Sequence, residues 1–388
     1  MTGDTLLYVV LAAVAVLVAY VFLSEALTAS FRLDDAGTVE ALTIELSDVG
    51  HHIALYHHPP ELQRYSEPVI LCHGLGANRF NMDFFDDGVS GDRMSLARTL
   101  ARAGFDVWVL ETRGHGRATV PTGADWTIDD EVQQDVATAI ETVLDLTGAQ
   151  KVLWVGHSWG GILQYFFFAM AHPLTSRVAG VVAIGSPGTI SHQLYLKLLR
   201  GPGWLLANLF RTPLPVRRLA KLGVPISAWL NLFPKIVLSR IAPLDDPLLR
   251  RLFASLAEDI PPGILRLMLS WVRSGGLHSK DGTPLEDGLE NLVVPTLLVA
   301  GSADTLAPPD AVKFVADRVG SDDVQYVIMG KERGCDVEYG HGGLLLGRQA
   351  PDEVFPVVER WLVRHATSEV TEIWSRSAPK NGKPNGHV

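Results

Sequence analysis

The chain has 388 residues, 47% of them hydrophobic and 20% charged, enough apolar material for one large core or two unequal domains and too much for a chain disordered throughout. A formal net charge of −10 argues against nucleic acid as the main partner, because binding phosphates needs a concentrated basic face. Cys72 and Cys335 are the only cysteines, so there is no disulfide framework, and their apolar surroundings disfavour even a single bridge between them.

The stretch Leu6 to Leu23, LLYVVLAAVAVLVAYVFL, runs for 18 residues with no charge, Gly or Pro. As a helix it would span about 27 Å, close to the hydrocarbon thickness of a bilayer. A cleaved signal peptide would want Lys or Arg ahead of a shorter apolar region, whereas the leading MTGDT carries Asp4 and no basic side chain. Residues 1–30 are therefore expected to be a retained, single-pass membrane anchor; secretion follows if 6–23 is cleaved instead. Glu25, Arg32, Asp34 and Asp35 define no positive side, so the orientation stays open.

Beyond the anchor, VEALTIELSDVGHHIALYHHPP reads as a hairpin with partial alternation. EPVILCHGLGAN is a short apolar strand ending in a Gly-rich turn, and MSLARTLARAG has helical periodicity closing on Gly104. FDVWVLETRGHG is a second buried strand. IDDEVQQDVATAIETVLDLTG starts acidic and spaces Val132, Val136, Ile140, Val143 and Leu144 as a helix does. KVLWV, a strand, is followed by a serine turn, the helix ILQYFFFAMAH and the strand VAGVVAIGSP. Nearly all-apolar strands alternating with helices describe a parallel sheet covered on both faces, with ligands beyond the carboxyl ends of its strands.

Alternation stops over 189–290, where LYLKLLRGPGWLLANLF, VRRLAKLG, ISAWLNLFPKIVLSRI, PLLRRLFASLAED and ILRLMLSWVRS are all helical in pattern. It resumes at VVPTLLVAGSAD, PDAVKFVADRVG and VQYVIMG. The expected organisation is a core of 38–188 and 291–366, a helical cap at 189–290 and a disordered polar tail at 367–388. From Ile190 to Gly276 there are 12 Lys plus Arg against 4 Asp plus Glu, a local +8 that leaves −18 for the rest. These are either the solvated faces of amphipathic helices or a basic surface for an anionic membrane and a lipid-like substrate.

Gly156-His157-Ser158-Trp159-Gly160 fits G-x-S-x-G between a strand and a helix. So sharp a turn forces its central residue into a strained conformation, and the glycines on either side leave the chain room to fold back. The hydroxyl is then held clear at the sheet edge, near a helix N-terminus. A serine hydroxyl is a poor nucleophile at neutral pH and needs a base that is itself oriented by a carboxylate. In the chain order expected of this arrangement, Asp304 follows a strand before the helix PPDAVKFVADRV, and His341 follows the last strand in YGHGG. Asp310 falls inside the helix and Glu338 lies too close to His341 in sequence. His115, in RGHGR, is a rival base; His73 and His157 are expected to shape the pocket. His51, His52, His57 and His58 lack the acidic or thiol partners a metal set would need. The backbone N–H groups of Trp159 and Leu75 are the expected oxyanion donors.

With HGLGAN, RGHG, GHSWGG, GSADTLAPP and YGHGG in order, the chain resembles the α/β-hydrolase fold family over approximately residues 40 to 365. The resemblance implies a mostly parallel, doubly wound sheet with an inserted helical cap, and a lipase- or esterase-like serine hydrolase with Ser158, Asp304 and His341 as triad. No metal or organic cofactor is implied. HGLGANRFNMDF and YGHGGLLLGRQAPDEVFPVVERWL also resemble polyhydroxyalkanoate synthase-like and acid-lipase-like branches. Synthases of that type carry cysteine where this chain has Ser158, which favours hydrolysis over polymerisation. Epoxide hydrolases and haloalkane dehalogenases need a carboxylate there, so those activities are disfavoured. The leading expectation is hydrolysis of a hydrophobic, lipid-derived ester at a membrane. The alternatives are an acyltransferase using the same triad and a non-catalytic binding protein.

Overall fold

The computed structural model describes residues 3–33, 39–85, 92–190, 212–225 and 247–368, with backbone alone over 3–12. In chain order, α1 (Gly3–Phe31) leads into β1 (Glu40–Glu45), β2 (His52–His58) and β3 (Val69–Cys72). Then come α2 (Leu96–Ala103), β4 (Val107–Glu111), α3 (Ile128–Asp130), α4 (Ala137–Thr147), β5 (Val152–His157), α5 (Trp159–Ala169) and β6 (Val178–Ile184). Within 189–290 the described residues hold α6 (Val216–Gly223), α7 (Pro247–Ser255) and α8 (Pro262–Ser274). The chain closes with β7 (Thr296–Gly301), α9 (Pro309–Ala316), β8 (Val324–Met329), α10 (Gly343–Leu346), α11 (Ala350–Glu353) and α12 (Phe355–His365).

The strands form one eight-stranded sheet in the order β1-β2-β4-β3-β5-β6-β7-β8. β1 pairs with β2 and β2 with β4 antiparallel, and every other pair is parallel. The reason is legible strand by strand. In β3, Val69 and Leu71 join the core on one face while Ile70 and Cys72 join the core on the other. A strand buried on both sides has no polar face to alternate, hence its continuous apolar run. α5 shows the helical counterpart: Trp159 to Phe168 are all buried. A helix apolar all round has to be enclosed. Each of Phe166, Phe167 and Phe168 removed from water is worth about 2–3 kcal/mol of transfer free energy.

Two local features differ from the sequence reading. The helix expected from Ile128 to Gly148 contains a π-helical stretch, Glu131–Val136, between α3 and α4. The wider turn keeps Glu131, Val132, Asp135 and Val136 all on the buried side. Thr367 and Ser368, expected to belong to the polar tail, are bonded to the core. Thr367 donates its amide and hydroxyl to the Glu67 carboxylate, both at 2.7 Å, and Ser368 bridges to Tyr65. The remainder of that tail, and the helices expected over 194–210 and within 226–241, lie outside the described residues.

α1 has two halves. Among the described residues Ala13–Phe31 is the one segment long and apolar enough to cross a membrane, with mean hydropathy 1.9 and 11% of it buried. Val16, Leu17 and Phe22 are 70%, 62% and 73% exposed. From Tyr20 onward one face docks on α6 and α7: Ser24 and Thr28 are buried, Lys221 reaches Glu25 at 3.3 Å, and Arg250 lies over the Phe31 ring. Just past the helix, the Leu33 amide donates to Ser255 Oγ at 2.9 Å.

Candidate active site

Parallel pairing sets the carboxyl ends of β3, β5, β6, β7 and β8 side by side, with Cys72 opposite Gly156 and Gly301 opposite Met329. Four loops leaving that edge build the site. Ser158 stands between β5 and α5 at φ 52°, ψ −108°, a conformation L side chains rarely adopt. Ser158 N donates to Ile184 O at 2.8 Å, and Gly161 N and Ile162 N both donate to Ser158 O at 3.1 Å, so backbone bonds hold the turn.

The flanking glycines are required by space. A Cβ on Gly156 would lie 2.3 Å from the Gly160 carbonyl carbon, and one on Gly160 would lie 2.4 Å from Cys72 O. Both neighbours are backbone and cannot swing away. Gly160→Ala is therefore expected to cost about 3–5 kcal/mol of stability, among the larger effects of a single substitution. A urea titration of the variant measures it, and an unchanged midpoint would mean the turn has slack these distances deny.

His341 Nε2 lies 2.9 Å from Ser158 Oγ, and His341 Nδ1 lies 2.8 Å from Asp304 Oδ2. Asp304 Oδ1 accepts the amides of Leu306 and Ala307, each at 2.8 Å, which fixes the carboxylate plane. Ala303 N donates to Tyr339 O at 2.9 Å, locking the acid-bearing loop to the histidine-bearing loop. Gly185, at φ +57° just past β6, lies beneath the pair; a Cβ there would be 3.4 Å from both Asp304 Oδ2 and His341 Nδ1. The three side chains read from the sequence thus meet in one hydrogen-bonded line. Of the rejected acids, Glu338 bonds Ser302 instead, and Asp310 sits in the first turn of α9.

The other histidines take supporting places. His73 is pushed down to about 3 by burial and by His115, so its ring is neutral; Nδ1 donates to Gly74 O at 2.9 Å and Nε2 accepts the Thr112 amide at 3.3 Å. It ties the loop after β3 to the end of β4. His115, the rival base, is pushed down to about 4 by burial, and its Nδ1 lies 3.0 Å from Arg113 O. His157 is pushed down to about 3, by burial first and His341 second. A neutral ring has one N–H, and the shorter contact assigns it to Nδ1, donating to Asn81 Oδ1 at 2.9 Å. Nε2 lies 3.3 Å from the His341 carbonyl. Asn81 Oδ1 also accepts Gly74 N at 2.9 Å, which occupies that amide. Among the described residues, no protein acceptor takes the amide of Leu75 or of Trp159. In the early hairpin, His57 pairs with Asp106 at 2.6 Å and His58 with Asp83 at 3.3 Å. Both cysteines are free thiols, and burial pushes the Cys72 thiol well up.

Sequence reasoning missed Asn81 and the buried carboxylates below the turn. Glu131 is wholly buried and accepts the Trp159 indole N–H at 2.6 Å and the Trp126 indole N–H at 3.2 Å. Burial, then Asp135, hold its carboxyl well above the usual range while the two indoles pull it back. Asp135 in turn accepts the Arg113 amide at 2.8 Å and its Nε at 2.7 Å. One signal was present: Ile128, Glu131, Val132, Asp135 and Val136 share a stripe at helical spacing, and acids on an apolar stripe ask for buried donors.

A family model described as alpha/beta hydrolase fold matches residues 67–331, well over half the chain. The chain belongs to the α/β-hydrolase family. Within it, this hydrolase is 29% identical to human lysosomal acid lipase/cholesteryl ester hydrolase over 186 residues, covering 44% of the chain and 45% of that protein. It is 25% identical to bovine gastric triacylglycerol lipase over 321 residues, covering 74% of the chain and 77% of that lipase. Among solved structures it is similar in fold to a bacterial membrane phospholipase A, with TM-score 0.56 and 21% identity over 94% of the chain and 99% of that structure. An esterase from Thermogutta terrifontis gives TM-score 0.54 at 20% identity, over 84% and 100%.

Proposed function

We propose that this α/β-hydrolase is a membrane-anchored serine hydrolase that cleaves the carboxylic ester of a hydrophobic, lipid-derived acyl group through an acyl-enzyme. The observation that carries the reading is the continuous hydrogen-bonded line Ser158 Oγ, His341 Nε2, His341 Nδ1, Asp304 Oδ2, with spacings of 2.9 and 2.8 Å. Ser158 Oγ attacks the ester carbonyl while its proton passes to Nε2, and Asp304 holds the other proton on Nδ1 and stabilises the imidazolium. The carbonyl oxygen takes up the negative charge against the amides of Leu75 and Trp159, a pair of donors worth about 3 kcal/mol each to a transition state. Collapse expels the alcohol, which leaves with the proton from Nε2. Water, deprotonated by the same nitrogen, then attacks the acyl-enzyme, and the acid and free Ser158 are regenerated.

The substrate class rests on three supports: the apolar span of α1, the Leu- and Trp-rich sequence of 189–290, and curated relatives that are lipases. Retention of α1 is favoured by its docked half. Cleavage beyond Thr28 would strip away Ser24, Glu25 and Thr28, which cover α6 and α7. Fractionation of full-length protein is expected to leave it in the membrane pellet after carbonate extraction; a soluble product with a shortened N-terminus would show a processed leader. A series of p-nitrophenyl esters tests the acyl group. Each buried methylene contributes up to about 0.8 kcal/mol, so kcat/KM should rise at least about tenfold from acetyl to octanoyl. A maximum at acetyl would remove the lipid part of the reading and leave the hydrolase.

A further inference from the structure

Trp159 is the first residue of α5 and follows Ser158 directly, so any rotation of Trp159 re-aims the amide assigned to the oxyanion. Its side chain is held from two directions. On one side its ring stacks on Trp271 of α8, with centroids 5.7 Å apart and planes at 28°, and Trp271 also stacks on Phe166 at 5.9 Å. On the other, its indole N–H meets Glu131 Oε2 at 2.6 Å, while Glu131 Oε1 takes Trp126 at 3.2 Å. The Trp126 segment is itself pressed on α8, since a Cβ on Gly263 would lie 2.1 Å from Trp126 O.

A carboxyl group suits this place because each of its two oxygens offers a lone pair to one indole N–H. A buried indole N–H without an acceptor would carry a desolvation penalty, and a neutral amide could serve only one of the two. We infer that Glu131 is a positioning residue for the proposed reaction at Ser158: by clamping the Trp159 indole it fixes the backbone amide that receives the oxyanion and couples the serine turn to α8. Donors to an oxyanion act over a narrow distance range and contribute only when already aimed, so a small displacement of Trp159 lowers the rate without weakening the binding of substrate.

The inference rests on the proposed serine hydrolysis, and its test separates the two. Wild type, Glu131→Gln, Trp159→Phe, Trp126→Phe and the Glu131→Gln/Trp159→Phe double variant are compared for p-nitrophenyl butyrate hydrolysis, fluorophosphonate labelling rate and urea midpoint. Trp159→Phe keeps a stacking ring but removes the N–H bonded to Glu131 Oε2, whereas Trp126→Phe removes only the N–H at Oε1 and leaves the Glu131–Trp159 bond in place. Glu131→Gln and Trp159→Phe should each lower kcat about tenfold with KM within about twofold, and the double variant should fall no further than the worse single, as expected of one shared interaction. Trp126→Phe should lose stability like Trp159→Phe while keeping kcat. Should Glu131→Gln fail to fold, the contrast between the two Trp variants decides. Equal kcat in all folded variants, or losses that multiply in the double variant, would overturn the inference while wild-type labelling at Ser158 stands. A wild type that neither hydrolyses the ester nor labels would overturn the proposed function itself.

Discussion

Ser158→Ala is expected to lower ester hydrolysis about 10⁵-fold and to abolish fluorophosphonate labelling, with a urea midpoint close to that of wild type. The loss is large because nothing replaces the nucleophile. His341 can still bind a proton, but no oxygen within its reach attacks the carbonyl. The fold should be indifferent because, among the described residues, the Ser158 side chain makes one bond, to His341 Nε2, whereas the turn is held by backbone bonds to Ile184, Gly161 and Ile162. Alanine keeps a Cβ at φ 52° and so keeps the strain. Ser158→Gly should be equally inactive yet about 1 kcal/mol more stable than Ser158→Ala, because glycine adopts that conformation without a steric penalty. An alanine variant that still labels, or that keeps more than about one part in a hundred of the rate, would end the acyl-enzyme account.

Asp304→Asn should reduce kcat about 10⁴-fold, and the local geometry dictates why. In the native protein Oδ1 accepts the amides of Leu306 and Ala307, and Oδ2 faces His341 Nδ1. An asparagine has one accepting oxygen. Two backbone donors claim it, so the NH₂ turns toward Nδ1 and donates there. Nδ1 must then accept, the imidazole proton moves to Nε2, and the nitrogen facing Ser158 Oγ has no lone pair with which to act as base. Structure should survive, since both amides keep their acceptor. Asp304→Ala leaves them without one and should cost about 1–3 kcal/mol of stability in addition. Steady-state kinetics beside a denaturation curve separate the two effects; an Asp304→Asn rate within tenfold of wild type would contradict the tautomer argument.

The candidate site was legible in the sequence where its demands on the chain are local. The serine turn declares itself because its steric demands fall within five consecutive residues, and the alternating elements around it place it at a strand's carboxyl end. Asp304 and His341 were legible through order along the chain, since each leaves a strand of the same sheet at the same edge. Asn81 and Glu131 were not. Asn81 works by bonding Gly74, seven residues away, and His157, on another strand altogether. Glu131 belongs to the acidic start of a helix, and its place on the apolar stripe hints at burial but not at its partners, the indoles of Trp159 and Trp126.

The sequence alone therefore determined the order of elements, the sheet's two apolar faces, the identity of the pinched serine and the candidates for its partners, because these follow from periodicity, backbone sterics and residue chemistry. Tertiary structure decided which nitrogen faces which oxygen, that His73 and His157 are neutral tethers, and that a buried carboxyl group grips the residue beside Ser158. Those facts depend on distances of a few tenths of an ångström and on burial that shifts a proton equilibrium. Both arise only when segments far apart in the chain are brought together and water is excluded between them.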